Sequence, residues 1–317
     1  MHSPTTVLDD RSTDPFDASA RVPVAGGELL VARAGPPPAA APVTVLLIHG
    51  MGSSHTIYRT VVRELRRRSD AAVLAPDLRG RGRSAHLPPP YGLGVHAADL
   101  VAVLDDAGPR RVVLVGHSMG AYLAARLAAE QPERAGGLVL LDGGLPFAAA
   151  PTDPDIVIEA VVGPALERMH TRFASTDDYV ASWRTHPALA PAWDADIEAY
   201  ARYDMVSDAD GVHCGVSEEA VRTDARDLLL DEATVTALDR VRAPVHLLRA
   251  PRGMNDDEIA MLPRPLVDIF RVGRPDIRFE EVEDVNHYTL VMGSSPGPAR
   301  VAAAIEAVAA AAADAPS

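Results

Sequence analysis

Residues 112–121, from Val112 to Ala121, have the sequence "VVLVGHSMGA". Four apolar residues lead directly into Gly116, Ser118 follows two places later, and Gly120 follows two places after that. A tight turn from a buried strand into a helix crowds the positions two residues either side of its apex, so these positions favour glycine. The stretch therefore predicts that Ser118 projects from a strained turn at the end of a strand, a placement typical of a nucleophile.

The same pattern of buried strand, turn and helix recurs along much of the chain. Residues 21–34 alternate like a hairpin with its turn at Gly26-Gly27. Strands that are apolar on both faces and alternate with helices predict a mostly parallel sheet covered on both sides. The predicted strands are Val43–Leu47, Ala72–Ala75, Val112–Val115, Leu138–Leu141, Val245–Leu248 and Ile277–Val282, and the predicted helices are Ile57–Arg68, Val95–Asp106, Met119–Glu130, Pro263–Val272 and Pro298–Ala312.

This alternation is interrupted once, after Gly144, and resumes at Pro244. The interruption predicts a helical cap over residues 145–243 that divides a core into residues 21–144 and 244–317, after a flexible tail over residues 1–20. Large apolar side chains in the cap would either roof a pocket or pack the cap onto the core. They are Phe147, Met169, Phe173, Tyr179, Trp183, Trp193, Tyr200, Tyr203 and Met205.

Composition limits the partners of the chain. It has 317 residues, is 47% hydrophobic and carries a formal net charge of −14, with arginine as its basic residue and no lysine. An acidic chain repels phosphate backbones and anionic lipid, which argues against nucleic acid or a membrane as partner. Cys214 is the single cysteine, and the first 20 residues lack the features of a signal peptide, so we expect a cytoplasmic protein. We expect it to be a monomer or a homodimer.

A serine nucleophile needs a base and an oxyanion site. His287 lies just after the last predicted strand, in "DVNHY", and a nucleophile followed late in the chain by its base is the order typical of this kind of turn. The backbone amide of Met119, directly after the serine, is one predicted oxyanion donor. The amide of Met51, after the His49-Gly50 pair that ends an earlier strand, is the other, and His49 is predicted to organise that loop.

Three motifs together resemble those of the α/β-hydrolase superfamily. They are "LLIHGMG", "APDLRGRGRS" and "VGHSMG", and they occur in the order of that superfamily ahead of the late histidine. The resemblance implies an eight-stranded, mostly parallel sheet flanked by helices, a helical cap inserted after strand six, and acyl-transfer chemistry. Haloalkane dehalogenases and epoxide hydrolases of this lineage carry aspartate at the position of Ser118, so the serine argues against both.

The carboxylate that would orient His287 has two candidate positions. Asp142 directly ends the sixth predicted strand, a position that supplies the acid in some capped relatives, including lactone hydrolases. Asp256, beside Asp257, follows the next strand, which is the commoner position in the superfamily. We favour Asp142 because "RAPRGMNDD" departs from the usual short spacing after that strand, but either aspartate could instead cap a helix or turn.

These features predict a serine hydrolase that acts without cofactor or metal on a small hydrophobic ester-like substrate. The bond would be a carboxylic ester, a lactone or a thioester, cleaved through an acyl-enzyme on Ser118. Two alternatives remain open: hydrolysis of a carbon–carbon bond, as in a β-diketone, by the same residues, and a non-catalytic ligand receptor on the same fold. Capture of the acyl-enzyme by an internal hydroxyl, giving a cyclic product, is a further outcome of the same chemistry.

Overall fold

The computed structural model describes residues 14–109, 111–146 and 153–314. In chain order, the strands of these residues are β1 (Ala18–Val24), β2 (Gly27–Ala34), β3 (Thr44–Ile48), β4 (Ala72–Pro76), β5 (Val112–His117), β6 (Ala135–Leu141), β7 (Met205–Asp208), β8 (Gly211–Cys214), β9 (Val245–Arg249) and β10 (Arg278–Glu281).

All strands except β7 and β8 form one eight-stranded sheet in the order β1-β2-β4-β3-β5-β6-β9-β10. β2 pairs antiparallel with both β1 and β4, and the remaining neighbours pair in parallel. The predicted mostly parallel sheet is thus confirmed, and each strand predicted for it begins and ends within three residues of its predicted bounds.

Helices cover both faces of this sheet. In chain order they are α1 (Arg59–Arg66), α2 (Leu93–Ala107), α3 (Met119–Glu130), α4 (Pro154–His170), α5 (Thr176–Arg184), α6 (Ala195–Asp204), α7 (Glu218–Leu230), α8 (Glu232–Val235), α9 (Ala237–Arg240), α10 (Arg264–Gly273) and α11 (Gly297–Asp314).

The central strand β3 shows how one apolar run serves two cores. Val45 and Leu47 are buried in the cluster that contains α1 and α11, while Leu46 and Ile48 are buried in the cluster that contains α2 and α3. Because successive side chains of a strand point to opposite faces, a strand covered on both sides must be apolar throughout. None of the helices in the described ranges combines the length and the apolarity needed to cross a bilayer.

The segment predicted as the cap leaves the sheet after β6 and returns at β9. Its described residues form α4 to α9 and the small antiparallel hairpin of β7 and β8. We call residues 145–243 the inserted segment. The sequence analysis missed the hairpin, because three of the four residues of β7 are exposed and its sequence, Met-Val-Ser-Asp, lacks an alternating apolar face.

Buried polar contacts hold the inserted segment on the core. Tyr203 donates its hydroxyl hydrogen to Asp77 Oδ2 at 2.6 Å. Asp224 forms an ion pair with Arg81, and its Oδ2 lies 2.9 Å from His96 Nε2. Burial opposes ionisation of Asp224, but Arg81 and His96 hold the pKa of this carboxyl below its ordinary value. Removing one member of such a pair would leave a charge buried without compensation and would destabilise the protein.

The predicted flexible tail is wrong for residues 14–20. Strand β1 begins at Ala18, and Asp17 accepts hydrogen bonds from the backbone amide of Gly35 at 2.8 Å and from Arg66 Nη1 at 2.7 Å. Arg59 Nη1 donates to Asp14 at 2.9 Å. Two acidic residues of this segment, Asp14 and Asp17, are therefore bound to arginines of α1. Residues 1–13 lie outside the described residues.

Candidate active site

Ser118 occupies the turn between β5 and α3 in a strained conformation. Its φ of 56° and ψ of −122° lie in a region that non-glycine residues rarely adopt. A Cβ on Gly116 would lie 2.0 Å from the carbonyl oxygen of Gly120, and a Cβ on Gly120 would lie 2.0 Å from that of Ile48. The two glycines of the motif are therefore required by close backbone contacts on either side of the serine.

Strand β6 supports this turn from the side. The amide of Ser118 donates to the carbonyl of Leu141 at 2.9 Å, and a Cβ on Gly143 would lie 2.4 Å from the carbonyl oxygen of Ser118. Asp142, which lies between Leu141 and Gly143, has a positive φ of 47°. The backbone of the serine turn and the backbone that carries Asp142 are thus in direct contact.

The structure brings Asp142 to His287. The Nδ1–H of His287 donates to Asp142 Oδ2 at 2.8 Å, and Asp142 Oδ1 accepts from the amide of Ala250 at 3.2 Å. Both side chains are buried, with 4% and 0% of their surfaces exposed. A carboxylate bound at Nδ1 makes Nδ1 the protonated nitrogen and leaves Nε2 as the acceptor, which is the tautomer that a general base needs.

The alternative acid, Asp256, is hydrogen-bonded to groups other than the imidazole. Asp256 Oδ1 accepts from Arg252 Nε at 2.8 Å and from Asn286 Nδ2 at 3.1 Å. Asp257 Oδ1 accepts from the amide of Ile259 at 2.9 Å, in the loop before α10. Both aspartates therefore organise the loop after β9, because the long spacing after that strand turns their side chains toward local partners.

The side chain of His117 contacts the backbone of the loop that carries His287. Its Nε2 lies 2.9 Å from the backbone carbonyl of His287, and the two ring centres are 4.4 Å apart. A carbonyl can only accept, so His117 Nε2 carries hydrogen. Burial, followed by the neighbouring His287, lowers the pKa of His117 well below its ordinary value, which keeps this ring neutral.

The two residues whose amides are the predicted oxyanion donors line the same cavity as the serine. Met51 and Met119 both line the cavity that contains Ser118. Met119 is the first residue of α3, where backbone amides have no carbonyl one turn earlier to bind. The partial positive charge at this helix end favours an anion beside Ser118.

The loop that carries Met51 is held by two buried side chains. His49 Nε2 accepts from the amide of Leu78 at 2.9 Å and His49 Nδ1 donates to the carbonyl of Gly50 at 2.8 Å. Burial lowers the pKa of His49 to about 4, so the ring stays neutral in this double contact. Arg81 Nε donates to the carbonyl of Met51 at 2.8 Å. Arg81 lies in the "APDLRGRGRS" motif, and its contact with the Met51 loop was not predicted from the sequence.

A cavity of about 920 Å³ lies above Ser118 and His287, between the core and the inserted segment. Its walls are mainly apolar, and they include Leu145, Val162, Met169, Val221, Leu228 and Leu262. Tyr200 also lines it, whereas Tyr179 and Trp183 are buried in the packing beneath. Phe147 lies outside the described residues. A cavity of this size and polarity suits a substrate with a sizeable apolar part.

Arg168 of α4 also lines this cavity, and the sequence analysis did not single it out. A charged residue on a predicted helix usually marks a solvated face, so the sequence carried no signal for it. In the part of the chain that the structure describes, no group of three His, Cys, Asp or Glu side chains could hold a metal ion. His170 and His213 each lie beside a single carboxylate, that of Glu218 and of Asp208.

Comparison with known proteins adds to this geometry. The model of the alpha/beta hydrolase family matches residues 45–304. Lipase LipV of Mycobacterium tuberculosis is 38% identical over 115 residues, which are 36% of this chain and 41% of LipV. The putative carbamate hydrolase RutD of Caulobacter vibrioides is 36% identical over 107 residues, which are 33% of this chain and 39% of RutD. The matches span about two fifths of the length of these relatives.

Solved structures resemble the chain over most of its length. The thioesterase domain from the curacin biosynthetic pathway has a TM-score of 0.70 at 19% sequence identity, and the similarity covers 92% of this chain and 98% of that domain. At this level of identity the similarity establishes the shared fold alone.

Proposed function

Because this chain belongs to the alpha/beta hydrolase family, we propose that it is a serine hydrolase that cleaves a carboxylic ester, lactone or thioester through an acyl-enzyme on Ser118. The observation that carries the proposal is the contact of 2.8 Å between His287 Nδ1 and Asp142 Oδ2, on the wall of the cavity that Ser118 lines. A serine alone is a weak nucleophile, and a paired imidazole is the usual means of activating it.

In the proposed first half-reaction, His287 Nε2 takes the proton of the Ser118 hydroxyl as its oxygen attacks the substrate carbonyl carbon. Asp142 stabilises the imidazolium that forms, and the amides of Met51 and Met119 donate to the tetrahedral oxyanion. His287 then gives its proton to the departing alcohol or thiol. The acyl group remains on the Ser118 oxygen as an ester.

In the second half-reaction, His287 Nε2 takes a proton from water, and the resulting hydroxide equivalent attacks the acyl carbon. Collapse of the second tetrahedral intermediate returns the proton to Ser118 and releases the acid. The apolar walls of the cavity support an acyl or alcohol part that is mainly hydrocarbon.

The test combines labelling with turnover. A fluorophosphonate probe should label the protein once, on Ser118, and Ser118→Ala should lose both the label and at least about 10³-fold of its turnover of p-nitrophenyl esters. Ser53 lines the same cavity and provides the matched control, so Ser53→Ala should still be labelled. Retained turnover in Ser118→Ala, or a label on another residue, would refute the proposal.

A further inference from the structure

Arg168 brings a positive charge into an apolar cavity. It lies on α4 and lines the cavity together with Ser118 and His287. Its guanidinium carbon lies 4.8 Å from the centre of the Trp183 ring, a stacking distance that restricts where the planar group can point. Among the lining residues that the structure describes, Arg168 is the one arginine, in a chain whose net charge is −14.

Among the described residues, no carboxylate pairs with the guanidinium of Arg168. Its Nε is buried without a hydrogen bond, and within the described ranges its guanidinium forms no ion pair with a carboxylate. Buried arginines are normally satisfied because a guanidinium has five donors and no acceptor. Arg79 illustrates the usual arrangement: its Nε and Nη2 donate to both oxygens of Asp99 at 3.0 and 2.9 Å.

The buried carboxyl of Asp204 acts electrostatically on Arg168 but is hydrogen-bonded to other groups. Asp204 Oδ2 accepts from the Tyr179 hydroxyl at 2.7 Å and from the Cys214 thiol at 3.4 Å. Burial raises the pKa of Asp204, while Tyr179, Arg168 and Cys214 each lower it. Among the described residues, the Nε–H of Arg168 thus has no acceptor, and its charge lies beside the cavity without a carboxylate in hydrogen-bond contact.

We propose that Arg168 binds an anionic group of the substrate, a carboxylate carried by the same molecule as the scissile ester. The inference rests on the proposed function and narrows its substrate class from apolar esters to apolar esters or lactones with a free carboxylate. A planar guanidinium matches a carboxylate with two parallel hydrogen bonds, and it does so best where water is excluded. The apolar walls would hold the hydrocarbon between the two polar ends.

The experiment compares substrates that differ in one charge. Mono-p-nitrophenyl glutarate, adipate and pimelate carry the carboxylate on the acyl side. The neutral counterparts are the same p-nitrophenyl esters with that carboxylate converted to its methyl ester. 4-Butyryloxybenzoate carries it on the alcohol side, with its methyl ester as counterpart. The wild-type protein should prefer one charged series in kcat/KM, and the preferred series identifies which part of the substrate reaches Arg168.

Arg168→Gln should lower kcat/KM for the preferred charged substrate by roughly 10- to 100-fold, mainly by raising KM, and leave its neutral counterpart within about 3-fold. Arg168→Lys should recover part of the loss. Arg172→Gln is the matched control, because Arg172 carries the same charge two residues beyond α4 and pairs with Asp208 on the surface. Equal losses for charged and neutral substrates in Arg168→Gln, or no preference in the wild-type protein, would overturn the inference.

A binding measurement separates this inference from the proposed function. Ser118→Ala protein should bind glutarate, adipate or pimelate in calorimetry, and the double variant with Arg168→Gln should lose that binding. If these diacids bind with a dependence on Arg168 but the wild-type protein hydrolyses none of the esters, the proposed function is contradicted and the anion site is kept. If the wild-type protein hydrolyses the esters but neither diacid binding nor substrate preference depends on Arg168, the proposed function is kept and the anion site is overturned.

Discussion

The imidazole of His287 and the carboxylate of Asp142 meet at 2.8 Å although 145 residues separate them along the chain. Asp142 follows β6 and His287 lies in the loop after β10, and both are withdrawn from solvent by the fold. A charge-assisted hydrogen bond in such a dry place is stronger than one at the surface. Removing the hydrogen bond between His287 and Asp142 should therefore lower kcat rather than change substrate binding.

The first prediction concerns the acid. Asp142→Asn should lower kcat by about 10³- to 10⁴-fold with little change in KM, because an amide cannot stabilise the imidazolium. Asp256→Asn is the matched control and should stay within a few-fold of the wild-type kcat, because Asp256 binds Arg252 and Asn286. Initial rates with a p-nitrophenyl ester measure both variants, and a larger loss in Asp256→Asn would reverse the assignment.

The second prediction concerns the glycines of the serine turn. Gly120→Ala should destabilise the protein by at least about 1–3 kcal/mol, because its Cβ would meet the backbone oxygen of Ile48 at 2.0 Å and rigid backbone cannot give way. Gly273→Ala, at the end of α10, places its Cβ in open space and should be neutral or slightly stabilising. Urea unfolding compares the two, and equal stabilities would contradict the close contact.

The third prediction is a pH dependence of stability from His49. Its pKa is about 4 in the folded protein and 6.5 as the ordinary value. Between these two pH values the unfolded chain binds a proton that the folded protein does not, so the free energy of unfolding falls as the pH falls from 6.5 to 4. At full effect this loss is about 3 kcal/mol, and it levels off below pH 4.

His49→Gln isolates this contribution from that of the carboxyl groups. Glutamine has no charge to gain, so the stability difference between wild type and variant should shrink by about 3 kcal/mol as the pH is lowered from 7 to 4. Urea unfolding at several pH values measures the difference. A difference that stays constant with pH would mean that the folded protein protonates His49 as readily as the unfolded chain does.

The fourth prediction separates two roles of Arg81. Arg81→Met should cost about 3–5 kcal/mol of stability, because Asp224 loses a buried partner, and should also lower kcat/KM about 10-fold or more, because the Met51 carbonyl loses its donor. Asp224→Asn breaks the same ion pair but keeps the contact to Met51. It should lose stability while keeping kcat/KM near the wild-type value at a temperature where both variants are folded.

Local patterns explain how much of this molecule was predictable. Strands buried on both faces, such as β3 and β5, have unbroken apolar runs, and the spacing around Ser118 is dictated by contacts within a few residues of it. Features of this kind are determined by residues that are close together in the sequence. The sheet and the serine turn could therefore be predicted from the sequence.

The remaining features depend on contacts between distant residues. Asp142 and Asp256 look equivalent until the loop after β9 turns Asp256 toward Arg252, 4 residues away in sequence. Arg168 resembles a surface arginine of a helix until the inserted segment folds over the cavity. Residues 14–20 look solvated until α1 presents Arg59 and Arg66 to their carboxylates. Burial and pairing of this kind are properties of the folded chain.

The hydrogen bond from the Ser118 amide to Leu141, one residue before Asp142, fastens two of the three proposed reacting groups to adjacent central strands. The third, His287, lies on the loop after the edge strand β10 and is joined to those central strands through side-chain contacts with His117 and Asp142. Warming should therefore dislodge the imidazole first. Activity should then be lost at temperatures at which calorimetry still shows the sheet to be folded. A cross-link that restrains the histidine loop should raise the temperature at which activity is lost without raising the melting temperature.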